Sequence, residues 1–289
     1  WRKEKVTFSH CVPTILQMVL NAKAAQGVDF GGWKIVIGGS ALNRTLYEAA
    51  KARGIQLTAA YGMSETGPLV SCAHLNEELI AGTEDERTTY RIKAGVPGPL
   101  VEAAIIDAEG NFLPADGESQ GELVLRAPWL TEGYYNEPQK GAELWEGGWM
   151  HTGDVATLDA FGVIDIRDRI KDVIKTGGEW VSSLALEDLV SRHPAVREVA
   201  VVGIADPQWG ERPFALLVLR DGHVIGAREL KEHLKPFVEL GHLSKWAIPS
   251  QIAIVTEIPK TSVGKLDKKR IRVDIIEWQA NNSTFLSTL

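Results

Sequence analysis

Four short segments carry side chains able to handle a nucleotide. Tyr61–Pro68 reads YGMSETGP and sets an aromatic ring, two hydroxyls and a carboxylate among glycines. Tyr61 can stack on a nucleobase, and Ser64 and Thr66 can bond phosphate oxygens. Glu65 can hold a hard cation such as Mg2+, which takes oxygen ligands. The plainer reading is a polar turn beside a half-buried tyrosine. His151–Asp154 reads HTGD and follows the tryptophan-rich turn WEGGWM. A carboxylate after a tight turn can accept bonds from two adjacent ribose hydroxyls, or simply cap its own turn; His151 alone reads as structural. Arg167–Ser183, RDRIKDVIKTGGEWVSS, holds four cations, three acids and a glycine pair. That suits a hinge whose charged groups exchange partners, or a solvated face. Pro259–Arg270, PKTSVGKLDKKR, places Lys265 after Gly264. A phosphate-cradling P-loop is spaced G-x-x-x-x-G-K-[ST]. Pro259 stands where its first glycine belongs and Leu266 where its hydroxyl belongs. Taken alone, Lys265 reads as a surface lysine in a turn.

The surrounding pattern predicts the elements that must position these groups. Lys5–His10, Trp33–Ile37 and Ile55–Ala60 read as strands. VPTILQMVLNA, with Pro13 in its first turn, and Leu42–Arg53, closed by Gly54, read as helices between them. Strands alternating with helices imply a parallel α/β sheet. Ligands bind such sheets beyond the carboxyl ends of the strands. The loops GGSA and YGMSETG both leave carboxyl ends, which puts Gly39, Ser40, Tyr61 and Gly62 on one edge. After about Gly95 the texture becomes short strands and turns: VEAAIID, GELVLRA and GVIDIRD, with no helix predicted among them. From Arg169 the pattern mixes helices over Leu184–His193, Ala227–Leu240 and Leu266–Trp278 with strands over Val199–Ile204, Phe214–Leu219 and Gln251–Val255. The expected organisation is an α/β region over 1–95, a β-subdomain over 96–168 and a small α+β domain over 169–289. Residues 281–289 are expected to be loosely held.

The chain has 289 residues, net charge -7, 44% hydrophobic and 24% charged residues. That composition is ordinary for a globular chain, and the acidic balance argues against a nucleic-acid partner. No apolar run approaches the ~20 residues of a membrane span. Two cysteines, Cys11 and Cys72, lack any pairing or metal-ligand spacing, as suits a reducing, cytoplasmic setting. The chain opens on Trp1 in dense, strand-forming sequence, and a longer parent protein is expected.

In combination the segments point further. GGSA, YGMSETGP, GELVLRAPWLTEGYYNEP, HTGDVATLDAFGVIDIRDRIKD, IKTGGEWVSSLALEDLV and PKTSVGK occur in that order. Together they resemble the AMP-forming acyl-CoA synthetases of the adenylate-forming superfamily, through nearly the whole chain. The IKTGGEWVSS form is most similar to bacterial fatty-acyl-CoA synthetases and methylmercaptopropionate-CoA ligases. The resemblance implies a partial adenylate-forming fold, with ATP (bound AMP), Mg2+ and coenzyme A as partners and a carboxylic acid, expected to be fatty, as substrate. The acid becomes an acyl-AMP and is then transferred to coenzyme A while the small domain rotates. By motif, Tyr61 stacks on adenine, Gly39, Ser40 and Gly62 line the nucleotide pocket, and Ser64 and Thr66 take phosphate. Glu65 contacts Mg2+, Asp154 binds the ribose hydroxyls, and Arg169 lies near them. Lys171 matches a hinge, Lys175 faces the site in thioester formation, and Trp180 packs near the nucleotide. Lys265 becomes the adenylation lysine, reaching the α-phosphate and the substrate carboxylate.

Two departures stand out. A Ser/Thr/Gly-rich pyrophosphate loop would precede Trp1 and is absent, so the isolated chain is expected to be inactive in adenylation. Ala59 and Ala60 precede Tyr61 where relatives often carry Gln-Gly, which removes one side-chain contact to the nucleotide. Two alternatives remain: an adenylating enzyme with another acceptor, a carrier protein or a luciferase-like oxidative step, and a non-catalytic nucleotide-binding module. The sequence leaves a homodimer open.

Overall fold

A computed structural model describes residues 3–262, 264–280 and 286–288. The chain divides into two units, one running through Ile170 and the other from Lys171.

The first unit is built on the strands β1 (Phe8–Cys11), β2 (Lys34–Ile37) and β3 (Gln56–Tyr61), which pair in parallel. Helix α1 (Pro13–Asn21) carries Pro at its first turn, where the missing N–H costs nothing. Helix α2 (Arg44–Lys51) is shorter than its apolar pattern suggested. Asn43 adopts extended backbone, and its side chain accepts from Leu46 N. That cap fixes the start two residues after Leu42, which packs into the core instead. Leu16, Ile35, Ile37 and Ala50 lie at the centre of that core. Two short strands, β4 (Ser71–Cys72) and β5 (Val96–Pro97), extend the sheet antiparallel beyond β3.

Between them run α3 (Glu77–Ala81) and α4 (Glu84–Arg91). Helix α4 opens with a reciprocal cap: Thr83 Oγ1 accepts from Glu86 N, and Glu86 Oε2 accepts from Thr83 N. That T-x-x-E spacing is a legible helix start.

A four-stranded antiparallel sheet follows, ordered β6 (Glu102–Ile106), β7 (Gly121–Arg126), β8 (Met150–Leu158) and β9 (Ile164–Arg169). The expectation of no helix in this region is corrected: α5 spans Pro138–Leu144, with Pro at its start. Strand β8 also absorbs HTGD, for which an Asp capping its own turn was the plainer alternative. Gly153 sits at φ 68, and β8 shifts register against both neighbours nearby. A bulged strand with a left-handed glycine looks like a turn in one dimension.

In the second unit the hairpin β10 (Ile174–Thr176) and β11 (Glu179–Val181) turns through Gly177 and Gly178, both at positive φ. Paired positive φ values suit a two-residue hairpin turn and favour glycine. Helix α6 (Ser183–Ser191), strands β12 (Val196–Asp206) and β13 (Gly210–Leu219), helix α7 (Ala227–Glu239), strand β14 (Gln251–Ile254) and helix α8 (Lys268–Ala280) follow. Strand β13 sends Ala215 and Leu217 into a core with α6 and α7. Phe214, Leu216 and Val218 go into a second core with α8. With both faces buried, FALLVL shows no polar alternation. Strand β15 (Leu286–Thr288) pairs with β14, a correction to the expectation of a loosely held tail; 281–285 and 289 lie outside the described residues. Among the described residues no helix is long and apolar enough to cross a membrane.

Candidate active site

In the first unit, β2 and β3 end side by side, so their loops leave one edge of the sheet. Gly38 lies so near β3 that an added Cβ would fall 2.6 Å from Ala60 O. Gly39 and Ser40 are exposed beyond it. Gly62 is closer still to its own loop: a Cβ there would meet Pro68 O at 1.9 Å. Only a glycine lets the chain fold back this tightly. Ser64–Thr66 then forms one turn of 3-10 helix.

Tyr61, Asp154 and Arg169 meet. The Tyr61 hydroxyl donates to Asp154 Oδ2 at 2.6 Å. Asp154 and Arg169 are direct partners across β8 and β9, with Nε 3.3 Å from Oδ1. Asp154 is 4% exposed. Its burial raises its pKa above the ordinary carboxylate range, opposed by the Tyr61 hydrogen bond and then by Arg169. Tyr61 is pushed far up by burial first and by the Asp154 charge next, so it stays a phenol that can donate.

The HTGD strand is braced from β7. Glu122 Oε2 lies 3.0 Å from His151 Nδ1, and Glu122 Oε1 accepts from Gly153 N at 2.9 Å. Thr152 donates to Leu123 O and accepts from Asp154 N. His151 thus belongs to the frame that sets Asp154. Glu122 was not singled out in the sequence, since GELVLRA signals only a strand.

Within the SET turn the side chains diverge in role. Ser64 is exposed. Thr66 is fully buried, and its hydroxyl donates to Met63 O and accepts from Met63 N. That hydroxyl closes the turn, leaving it no proton for a phosphate. Glu65 is half-buried, and its Oε1 accepts from the Tyr134 hydroxyl at 2.7 Å. Among the described residues no cluster of three or more His, Cys, Asp or Glu could hold a metal unaided. Glu65 nonetheless fits Mg2+, which binds through one or two carboxylates plus substrate phosphates and water; its second oxygen has no partner among the described residues.

In the second unit Lys171 is exposed, and its carbonyl accepts from Arg272. Arg272 also pairs with the buried Asp172 at 2.9 Å. Lys175 and Trp180 face each other across the hairpin, with Nζ 5.6 Å from the ring centroid. The Lys175 backbone N–H donates to Glu211 Oε2. Lys265 ends a tight loop: Thr261 N donates to Lys265 O, and Lys265 N donates to Thr261 Oγ1. Gly264 sits there at φ 79; Val263 lies outside the described residues. Lys268, three positions on, is a different kind of lysine. Its side chain is 10% exposed, pairs with Glu187 at 2.9 Å and donates to Ser183. A cavity of about 240 Å³ in the same unit is lined by Arg212, Lys231 and Lys245 together with Asp206 and Ser250. Arg212 Nε is buried there without a hydrogen-bond partner among the described residues.

Comparisons with known proteins place the chain in a family. Residues 1–135 match the family of AMP-binding enzymes, and residues 185–265 match the AMP-binding enzyme C-terminal domain. A long-chain-fatty-acid–CoA ligase of Thermus thermophilus is 40% identical over 93% of this chain and 49% of its own length. A 3-methylmercaptopropionyl-CoA ligase of Ruegeria lacuscaerulensis is 37% identical over 92% of this chain and 49% of its own. The solved structure of an amide bond synthetase from Marinactinospora thermotolerans superposes with a TM-score of 0.81 and 30% identity, over 94% of this chain and 53% of that one. The chain therefore spans about half the length of the curated relatives it matches, and its fold is part of an adenylate-forming fold.

Proposed function

The chain belongs to the AMP-binding enzymes, and from that premise we propose that its parent protein joins a carboxylic acid to coenzyme A at the expense of ATP. A carboxylate oxygen attacks the α-phosphorus, and the bond to pyrophosphate breaks, giving acyl-AMP. The thiol sulfur of coenzyme A then attacks the acyl carbon, and AMP leaves. No general base is needed in the first step, because carboxylic acids are ionised near neutral pH.

The observation that carries this reading is the cluster of Tyr61, Asp154 and Arg169. A buried carboxylate on a bulged strand, with a phenol beside it and a cation opposite, can accept both hydroxyls of a ribose. Tyr61 offers its ring to adenine, and Gly39, Ser40 and Gly62 leave room for backbone contact with the nucleotide. Ser64 is free to bond phosphate. Mg2+ at Glu65 would neutralise charge on the phosphates. Lys265, on its tight loop, supplies positive charge where negative charge grows in the first transition state. Lys175, with Trp180, serves the second step, and Lys171 is the hinge.

Coenzyme A as acceptor is favoured by the cavity around Arg212, Lys231 and Lys245, whose cations suit the phosphates of that molecule. A fatty acid is the first acid to test, since one relative is a long-chain-fatty-acid–CoA ligase. Cys11 and Cys72 are both unpaired, which favours a cytoplasmic setting.

The test is a panel of carboxylic acids incubated with ATP and coenzyme A, using the parent protein at its relatives' length. Acyl-CoA, AMP and pyrophosphate should appear together. Acyl-AMP formed without loss of coenzyme A would move the acceptor to another nucleophile, such as an amine or a carrier protein. No nucleotide turnover with any acid would leave only a binding module.

A further inference from the structure

Residues 129–145 lie across the SET turn and hold it by hydrogen bonds. Trp129 Nε1 donates to Thr66 O at 3.0 Å. Thr131 N donates to Glu65 O at 3.0 Å. Trp145 Nε1 donates to Thr131 O at 2.9 Å. These bonds all end on backbone carbonyls and fix the path of the turn. One further bond reaches a side chain: the Tyr134 hydroxyl donates to Glu65 Oε1 at 2.7 Å.

Glu65 has three rotatable side-chain bonds, and nothing else among the described residues holds its carboxylate. Without Tyr134 the carboxylate would sample several rotamers. The donor is also chemically selective. A lysine or arginine in its place would cancel the carboxylate's charge. A phenol fixes one oxygen, leaves the negative charge intact and presents the other oxygen. Outer hydrogen bonds of this kind commonly orient metal-ligating carboxylates.

We infer that Tyr134 is a positioning residue: its hydroxyl locks the Glu65 carboxylate so that Oε2 is presented to the cation that accompanies the nucleotide phosphates. The inference rests on the cation role proposed for Glu65. The bond itself is independent of that role and stands on its geometry, a phenol hydroxyl 2.7 Å from one carboxylate oxygen.

Two measurements test this and separate the two levels. In this chain, phenolate absorbance is followed with pH in the native form, in Tyr134→Phe and in Glu65→Gln. The component missing from Tyr134→Phe should titrate above the ordinary tyrosine range in the native form and move down towards it in Glu65→Gln. No movement would overturn the positioning bond. In the parent protein, Mn2+ affinity in the presence of ATP is read from water-proton relaxation. Tyr134→Phe should weaken it roughly tenfold, the low end for loss of an outer-shell partner. ATP affinity measured without metal should stay within twofold. Unchanged Mn2+ affinity in Tyr134→Phe, with Glu65→Gln clearly weakened, would overturn the inference. Unchanged affinity in Glu65→Gln as well would overturn the cation role of Glu65 and, with it, the cation part of the inference, while the titration still judges the bond. If Tyr134→Phe perturbs the loop, Trp129→Phe serves as the control: it removes a bond to a backbone carbonyl and should leave the Tyr134 titration in place.

Discussion

At the scale of single residues, the buried Asp154 sets the strongest constraint. Its pKa is raised in the folded chain above the ordinary value of about 3.9. Between those two values the folded state holds a proton that the unfolded state has lost. Asp154 therefore costs no stability below the ordinary carboxylate range. It costs progressively more as pH rises through the interval, and a constant amount above it. Asp154→Asn keeps an acceptor for Tyr61 and gives up only a half-exposed pairing with Arg169, a kind of contact of small value. The melting temperature of the Asn variant relative to the native chain should increase as pH rises above ~4 and level off once pH has passed the folded-state pKa. AMP affinity, read by calorimetry, should fall about tenfold or more, because charge-assisted bonds to the ribose are lost. A deficit in melting temperature of the Asn variant that grows as pH rises would show that the carboxylate is stabilised by its partners and not strained by burial. The fully buried Thr66 gives a contrasting case. Thr66→Val strips the Met63 N–H of its partner, while Met63 C=O keeps the backbone N–H of residue 66, and should cost about 1–3 kcal/mol in denaturant unfolding. Thr66→Ser should recover most of it, whether or not nucleotide is present.

At the scale of elements, PKTSVGKLDKKR shows how unlike neighbouring lysines can be. Asp267 caps α8, its Oδ1 accepting from Arg270 N and its carbonyl from Ile271 N. That is why the helix starts at Lys268 and not at Leu266. Lys268 drives its ammonium between Ser183 and Glu187 of α6, tying the two helices together. Removing one partner of a buried ion pair strands the other, so Lys268→Ala should destabilise the chain by about 3–5 kcal/mol. Lys265 has no ion pair among the described residues, and Lys265→Ala should lie within about 0.5 kcal/mol of native. Equal losses in chemical denaturation would refute the distinction. The difference could not be read from spacing, since KLDKKR offers its cations without their partners; Glu187 lies far back in the chain. The same limit hid Tyr134, which is 69 residues from Glu65. It also hid Glu122, whose strand pattern is silent about what its carboxylate holds. Local signals were more informative. Pro13, Gly54 and the glycine pair at 177–178 fall where their backbone chemistry requires. The T-x-x-E cap of α4 and the proline opening α5 are equally local signals. The turn-capping alternative for HTGD arose for a definite reason, because a left-handed glycine inside a bulged strand has the sequence of a turn.

At the scale of the whole molecule, the chain passes once from the first unit to the second, at Ile170 and Lys171. Each unit holds its own apolar cores, so each has a core of its own to hold its shape. Lys175 and Lys265 are both carried by the second unit, but on separate elements, a Gly-Gly hairpin and a tight loop ahead of α8. The groups proposed to hold the nucleotide are carried by the first. The two-step function proposed above assigns a different lysine of the second unit to each step. In the parent protein, Lys265→Ala should slow acyl-AMP formation on the order of a hundredfold, the scale of removing one charge-stabilising donor from a transition state. Conversion of supplied acyl-AMP to acyl-CoA should be largely spared. Lys175→Ala should show the reverse bias. Lys171→Pro fixes the backbone at the crossing and should impair the passage from one step to the other more than nucleotide binding. Single-turnover rates for each half-reaction decide among these outcomes. If Lys175→Ala and Lys265→Ala lose the same half-reaction, one arrangement of the second unit serves both steps, and the hinge role of Lys171 falls with it.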